Sequence, residues 1–339
     1  MSSELAVLAE VVPPAVVERL AAARAVLAVG HENLDGDALG AALAIGRIVS
    51  ARGGRATVVS SDPVPALYRF LPGADAVRAD PEAGLVYDLV VLCDCGEVSR
   101  AGAIRDRNPD LFATTPVLVL DHHASNGDPG AVAWVDPEAA ATCEMVALIA
   151  QRLGVPLEEG EGRLATTLLA GIVMDTATFA HPNTTPRTLR LAAALLEAGA
   201  PLADISRRIY RTKPEAQLRL FGRVLGRLET YAGGLVVTAT LEAADLAAAG
   251  ALAEHSEGII DLLVQAESAE VALLFKEQVG STRLSIRTRA GGVDATVLAA
   301  GWGGGGHLRA AGATVDLPLA AAREAVLPAA IALARAVRR

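Results

Sequence analysis

A chain of 339 residues, 52% hydrophobic and 20% charged, is long enough for two folded domains that each bury a core, and it is too apolar to be disordered. With 3% aromatic residues and a formal net charge of −9, it lacks both a stacked-ring platform for long single strands and a basic groove for long polyanions. A small phosphate-bearing ligand stays compatible, because a few local cations or metal ions can hold it.

Taken in order, residues 11–26 read as a helix interrupted early by Pro13 and Pro14, not as a basic-then-apolar signal peptide. No apolar run reaches the roughly 18 residues of a membrane span. The odd set of Cys93, Cys95 and Cys143 offers no disulfide framework. The expected location is therefore the cytoplasm. Residues 25–29, 56–60, 88–93 and 116–120 are short, apolar and bounded by turn or charged residues, which predicts buried strands; 38–52 and 139–153 predict helices between and after them. Alternation of this kind predicts an α/β fold with a mostly parallel sheet and right-handed crossovers. From about 183 the pattern turns helical, with candidates at 188–198, 202–210 and 214–230. Beyond them come strands at 235–241, 271–276 and 283–289, a helix around 257–265, a glycine-rich turn at 301–306 and an alanine-rich terminal helix. The predicted organisation is 1–190 as a catalytic domain, 191–229 as a helical linker and 230–339 as a smaller α/β domain.

Three predicted strands end in metal-competent side chains. The first runs into His31-Glu32-Asn33-Leu34-Asp35-Gly36-Asp37, the next reaches Asp94, and a third reaches Asp121-His122-His123. Parallel sheets bind ligands outside the carboxyl ends of their strands. Asp175 closes the apolar stretch 168–174 and adds a fourth group. A lone Asp after a strand is ordinarily a helix cap, but three of only six histidines fall in two of these segments. Mixed Asp and His donors suit Mn²⁺, Zn²⁺ or Fe²⁺ better than an all-oxygen set does, and a carboxylate can bridge two ions. Cys93 and Cys95 flank Asp94; alternation sends both to the face opposite Asp94, as inert buried thiols.

A second constellation lies near the C-terminus. Gly303-Gly304-Gly305-Gly306-His307 lets backbone N–H groups approach a phosphate, and a helix starting after it would add positive potential. Just upstream, Arg287 and Arg289 share one strand face and could present two guanidinium groups. A glycine run alone is commonly only a loop.

His31-x-Asn33-x-Asp35-x-Asp37, Asp94, Asp121-His122-His123 and Asp175 resemble the four motifs of the DHH phosphoesterases. The Gly304-Gly305-Gly306-His307 turn resembles the hallmark of the DHH-associated C-terminal domain. Two domains in a chain of this size are similar to the bacterial nanoRNase/pAp phosphatase group, over nearly the whole sequence. The resemblance implies two divalent metal ions, manganese expected, with His31, Asp35 and Asp94 on one and Asp37, Asp94, His122 and Asp175 on the other. It implies that Asp121 orients the histidines and that His123 contacts the scissile phosphate or protonates the leaving oxygen. Arg100 and Asn126 would touch phosphate or steady its loop, while Arg287, Gly304, Gly305, Gly306 and His307 would hold the far end of a substrate lying across an interdomain cleft. The implied substrates are oligoribonucleotides of about two to five nucleotides and 3′-phosphoadenosine 5′-phosphate (pAp), with no long duplex, no membrane partner and a homodimeric state. Cyclic di-AMP or linear pApA hydrolysis, and a longer-chain RecJ-like exonuclease, are the rival readings. Leu34 stands where the family usually has Pro, Ala141-Thr142 where it commonly has Ser-Thr, and Thr288 where Ser is frequent.

Overall fold

The computed structural model describes residues 2–123, 132–289 and 291–337, and the chain divides into two units, Met1–Thr212 and Lys213–Arg339. In the first, β1 (Ala25–Gly30), β2 (Arg55–Val59), β3 (Leu89–Cys93), β4 (Val117–Asp121) and β5 (Val132–Val135) form one sheet in the order β2-β1-β3-β4-β5. Every pair is parallel, with Val26 opposite Ala56 and Leu89, and Cys93 opposite Leu120. β3 is buried along its whole length, as expected of a parallel sheet covered on both faces.

One face carries the larger core, where the Gly36–Ala51, Thr142–Arg152 and Arg163–Asp175 helices pack through Leu39, Ile45, Met145, Leu148 and Leu168. The other face is thinner and closes over Leu27, Val90, Leu92 and Ile104. The predicted helix at 11–26 is shorter, Pro14–Ala22, because Pro14 fits the first helical position and the chain must be extended again by Ala25. β5 has no counterpart among the predicted strands. The 168–174 stretch belongs to a helix, so Asp175 arrives on a helix end while the other motif segments follow strands.

The second unit holds β6 (Glu229–Tyr231), β7 (Val236–Leu241), β8 (Val271–Gln278), β9 (Ser281–Thr288), β10 (Gly305–His307) and β11 (Ala310–Val315). The sheet order is β10-β11-β9-β8-β7-β6, antiparallel except for β7 against β8. The Leu319–Val337 helix covers one face through Val326, Ala330 and Ala334; the other packs on the Glu215–Leu225 and Ile259–Leu263 helices. The helix expected over 214–230 stops at Leu225, and 229–231 are already a strand. Among the described residues no helix is long and apolar enough to cross a membrane.

Candidate metal centre

β1, β3 and β4 run in one direction, so their carboxyl ends bring His31, Asp94 and His122 to the same edge of the sheet. Asp35 caps the Gly36–Ala51 helix: its Oδ1 accepts from the N–H groups of Asp37 (3.1 Å) and Ala38 (3.0 Å). Its Oδ2 is left 3.6 Å from His31 Nε2. The oxygen that caps the helix and the oxygen that faces His31 are therefore different ones. His31 Nδ1 lies 2.7 Å from the Glu32 carbonyl, and a proton held there turns Nε2 toward the carboxylates.

Asp37 is fully buried. It accepts from the backbone N–H groups of Thr142 (2.6 Å) and Cys143 (2.9 Å), the unpaired donors at the start of the Thr142–Arg152 helix. Gly171 makes room for it, since a Cβ there would meet Asp37 Oδ1 at 2.6 Å and Cys143 Sγ at 2.4 Å. A mid-helix glycine costs about 1 kcal/mol against alanine, and this contact accounts for it.

Asp94 occupies the centre. Its Oδ2 lies 3.5 Å from His31 Nε2, its Oδ1 3.5 Å from His122 Nε2, and Thr142 Oγ1 donates to Oδ1 at 2.9 Å. Each oxygen thus faces a different imidazole. The backbone of Asp94 is left-handed, φ +56°, a strained setting for a residue with a side chain. That turn also breaks strand alternation, so Cys93 packs in the larger core and Cys95 in the opposite one, correcting the expectation of a shared face. All three thiols are buried, and burial pushes each of them above its ordinary pKa.

His122 approaches Asp175 Oδ2 to 3.1 Å through Nε2, while its Nδ1 lies 3.3 Å from the Ala139 carbonyl. Three donor sets follow, each with its atoms within 4.8 Å: His31, Asp35 and Asp94; Asp37, His122 and Asp175; Asp94, His122 and His123. The chemistry fits divalent cations. His122 Nε2 is buried with no properly aligned hydrogen bond among the described residues. Burial first, then the charges of Asp175 and Asp94, drives the Asp37 pKa well up. Asp175 is raised too, chiefly by burial, and it sits where the helix dipole disfavours a carboxylate.

Without metal, the imidazoles serve as the cations. Burial works against a charged His31, but Asp35 and Asp94 outweigh it and lift its pKa to about 10. His122 reaches about 9, burial again opposing and Asp175 and Asp37 prevailing. His123 is carried to about 10, above all by the hydrogen bond from Nδ1 to Asp121 Oδ1 at 2.8 Å. For Asp94 burial is outweighed by His123 and His31, which hold it far below the ordinary carboxylate range. Arg100 lies in the turn after β3, where its carbonyl accepts from Glu32 N–H at 2.8 Å; its guanidinium pairs with no carboxylate among the described residues. Asn126 lies outside the described residues.

In the second unit a pocket of about 310 Å³ is lined by Lys276, Arg283, Ser285, Arg287 and Gly305 among others. Arg283, Ser285 and Arg287 alternate along β9, so one strand face supplies all three. Arg287 Nε donates to Asp261 at 2.8 Å and Lys276 Nζ to Ser256 Oγ at 2.9 Å. The expected pairing of Arg287 with Arg289 fails. β9 ends at Thr288, and the Arg289 guanidinium donates to the carbonyls of Glu267 (2.8 Å) and Ala266 (3.0 Å). Nor does a helix follow the glycines: β10 turns directly into β11, with Gly305 opposite Gly312 and His307 opposite Ala310. A Cβ on Gly304 would lie 2.2 Å from the Gly312 carbonyl, and one on Gly306 2.5 Å from that of Ala310. Those two glycines answer to the hairpin, whereas Gly305 faces open space. The sequence gives Gly171, Lys276 and Arg283 no role, and marks Thr142 only as a position in the family pattern without a ligand. A glycine inside the apolar stretch 168–174 was the one local signal; the others depend on partners remote in sequence.

Two family models match the chain: the DHH family N-terminal domain over residues 25–172 and the DHHA1 domain over 235–337. The bifunctional oligoribonuclease and PAP phosphatase NrnA of Thermus thermophilus is 38% identical over 300 residues, 88% of this chain and 87% of that protein. Its namesake from Bacillus subtilis is 27% identical over 256 residues, covering 75% and 77%. Among solved structures, an exopolyphosphatase-related protein from Bacteroides fragilis superposes with a TM-score of 0.85 at 22% identity, covering 97% of this chain and 99% of that one. Thermus thermophilus RecJ in complex with Mn²⁺ gives 0.50 at 16% identity, covering 98% and 54%. These two likenesses concern the fold.

Proposed function

Because the chain belongs to the DHH phosphoesterase family and carries its DHHA1 domain, we propose that it is a two-metal hydrolase that degrades oligoribonucleotides of about two to five residues and removes a phosphate from pAp. The observation that carries the reading is Asp94, with one carboxylate oxygen toward the His31–Asp35 set and the other toward His122. His31, Asp35 and Asp94 would hold one ion and Asp37, Asp94, His122 and Asp175 the other. When bound, such a pair lowers the pKa of a water and takes up charge on the phosphoryl oxygens. Manganese is the proposed metal, on the mixed nitrogen and oxygen donors.

The protein's own residues do the rest. His123 holds a proton at Nε2, because Asp121 fixes Nδ1 and raises the imidazole pKa, and it delivers that proton to the leaving oxygen. Arg100 and Asn126 would touch the phosphate or steady its loop, the first through its charge and the second through its amide hydrogen bonds. In the second unit the proposed contacts for a nucleotide are Arg283, Arg287, the Gly304–Gly306 turn and His307. The net charge of −9 supports selection of short substrates over long duplexes, since counterion release from a long polyanion needs a basic surface.

The test is Mn²⁺-dependent product release from 5′-phosphorylated RNAs of graded length, with pAp alongside. Fast turnover of the shortest RNAs and of pAp is expected. Preference for the longest chains would point to a RecJ-like exonuclease, and activity confined to cyclic di-AMP or pApA would replace the substrate assignment.

A further inference from the structure

Behind the candidate metal centre lies a partly buried ion-pair cluster that the proposed chemistry does not use. Arg187 Nε donates to Glu144 Oε1 at 2.5 Å and its Nη2 to Asp136 Oδ2 at 2.9 Å. Glu144 is fully buried, and its second oxygen accepts from Thr188 Oγ1 (2.8 Å) and from the Ala140 N–H (3.3 Å). Asn183 Nδ2 donates to the carbonyls of both Ala140 (3.0 Å) and Asp175 (3.1 Å). At its start the segment 136–142 is tied to β4, where the Asp136 N–H donates to the Asp121 carbonyl at 3.0 Å. One short stretch of chain is therefore fixed from several sides.

The atoms that this stretch and the next residue turn toward the metal centre reach Asp37, His122 and, of the shared Asp94, the oxygen that faces His122. The Ala139 carbonyl meets His122 Nδ1, the N–H groups of Thr142 and Cys143 hold Asp37, and Thr142 Oγ1 holds Asp94 Oδ1. Asn183 joins the same stretch to the backbone of Asp175. By contrast His31 is set by the Glu32 carbonyl and Asp35 by the N-terminus of its own helix. We propose that Arg187, Glu144 and Asn183 are positioning residues for the Asp37–Asp94–His122–Asp175 set and not for the His31–Asp35 set. The inference rests on the two-ion reading above. An ion pair with one partner fully buried is poor evidence for stability alone, whereas partners behind a ligand commonly tune metal affinity by about 10- to 100-fold.

The experiment is a calorimetric titration of the metal-stripped full chain with Mn²⁺, comparing wild type with Arg187→Met and Asn183→Ala. Wild type is expected to show two binding events. Each variant should weaken one of them by about 10-fold or more and leave the other within about threefold. Turnover should recover as Mn²⁺ is raised, with the substrate KM unchanged. Arg187→Met strands the Glu144 carboxylate and puts folding at risk, so Asn183→Ala, at an exposed residue, decides. Equal weakening of both events, or of neither, overturns the inference. A wild type that binds fewer than two ions overturns the two-ion reading and takes this inference with it.

Discussion

The two units hold their charged groups to different degrees. Around Asp94 nearly every donor and acceptor is fixed by a second partner: Asp35 by its helix, Asp37 by two N–H groups, His123 by Asp121. In the second unit Arg287 is paired with Asp261 and Lys276 with Ser256, but Arg283, on the same strand face as Arg287, has among the described residues only a long 3.4 Å contact to Thr314. On the proposed function the first unit carries the chemistry at phosphorus, which needs donors set to fractions of an ångström, and the left-handed Asp94 backbone is the kind of strain such a site tolerates. On the same proposal the second unit only recognises a small polyanion, which asks for adaptable cations of the kind that long side chains on a strand supply.

The comparison breaks or holds first at Asp94. Asp94→Asn should cut turnover on the order of 1,000-fold or more, with the fold retained by circular dichroism. Activity within tenfold of wild type would remove Asp94 from the centre of the account.

A pH series sharpens the same side. At pH 7 a metal must displace protons from His31 and His122, whose pKa values are raised to about 10 and about 9. Metal affinity should therefore climb about 10- to 100-fold per unit between roughly pH 6 and 8. Calorimetry in buffers of different ionisation enthalpy should register proton release; binding without it would contradict the electrostatics. For the metal-free protein the sign is reversed. The raised histidines add stability that is fully present below the unfolded pKa of 6.5 and is lost as pH rises through about 9–10.

On the second unit, Arg283→Ala and Arg287→Ala should each raise KM by about 10-fold to 100-fold while kcat changes little, as befits lost charge-assisted contacts. A collapse of kcat would place these arginines in the chemistry and erase the contrast. The smallest effects concern the glycines. Gly304→Ala should destabilise by about 1–3 kcal/mol through its clash with β11, while Gly305→Ala should leave the melting temperature unchanged. Thermal melts of the two variants separate hairpin from ligand-facing roles.

Four of the five strands in the first sheet are legible in the sequence because each is an apolar run with polar ends. β5 is only four residues long, Val132–Val135, and runs into Asp136-Pro137 without a helix-length spacer to announce it. Chemical groups at strand ends can be read directly from sequence, as for His31, Asp94 and His122. Their supports cannot be read this way: Thr142 reaches Asp37 across 105 positions and Arg187 reaches Asp136 across 51. No local pattern encodes such pairs. Arg289 does not share the face of Arg287 because β9 ends at Thr288, and the alternation runs backward to Arg283.

The most direct test of the central claim is anomalous diffraction from crystals of the full chain soaked in Mn²⁺. Two peaks are predicted, one against each oxygen of Asp94, the first within reach of His31 and Asp35 and the second of Asp37, His122 and Asp175. A single peak away from Asp94, or none at saturating Mn²⁺, would contradict the account.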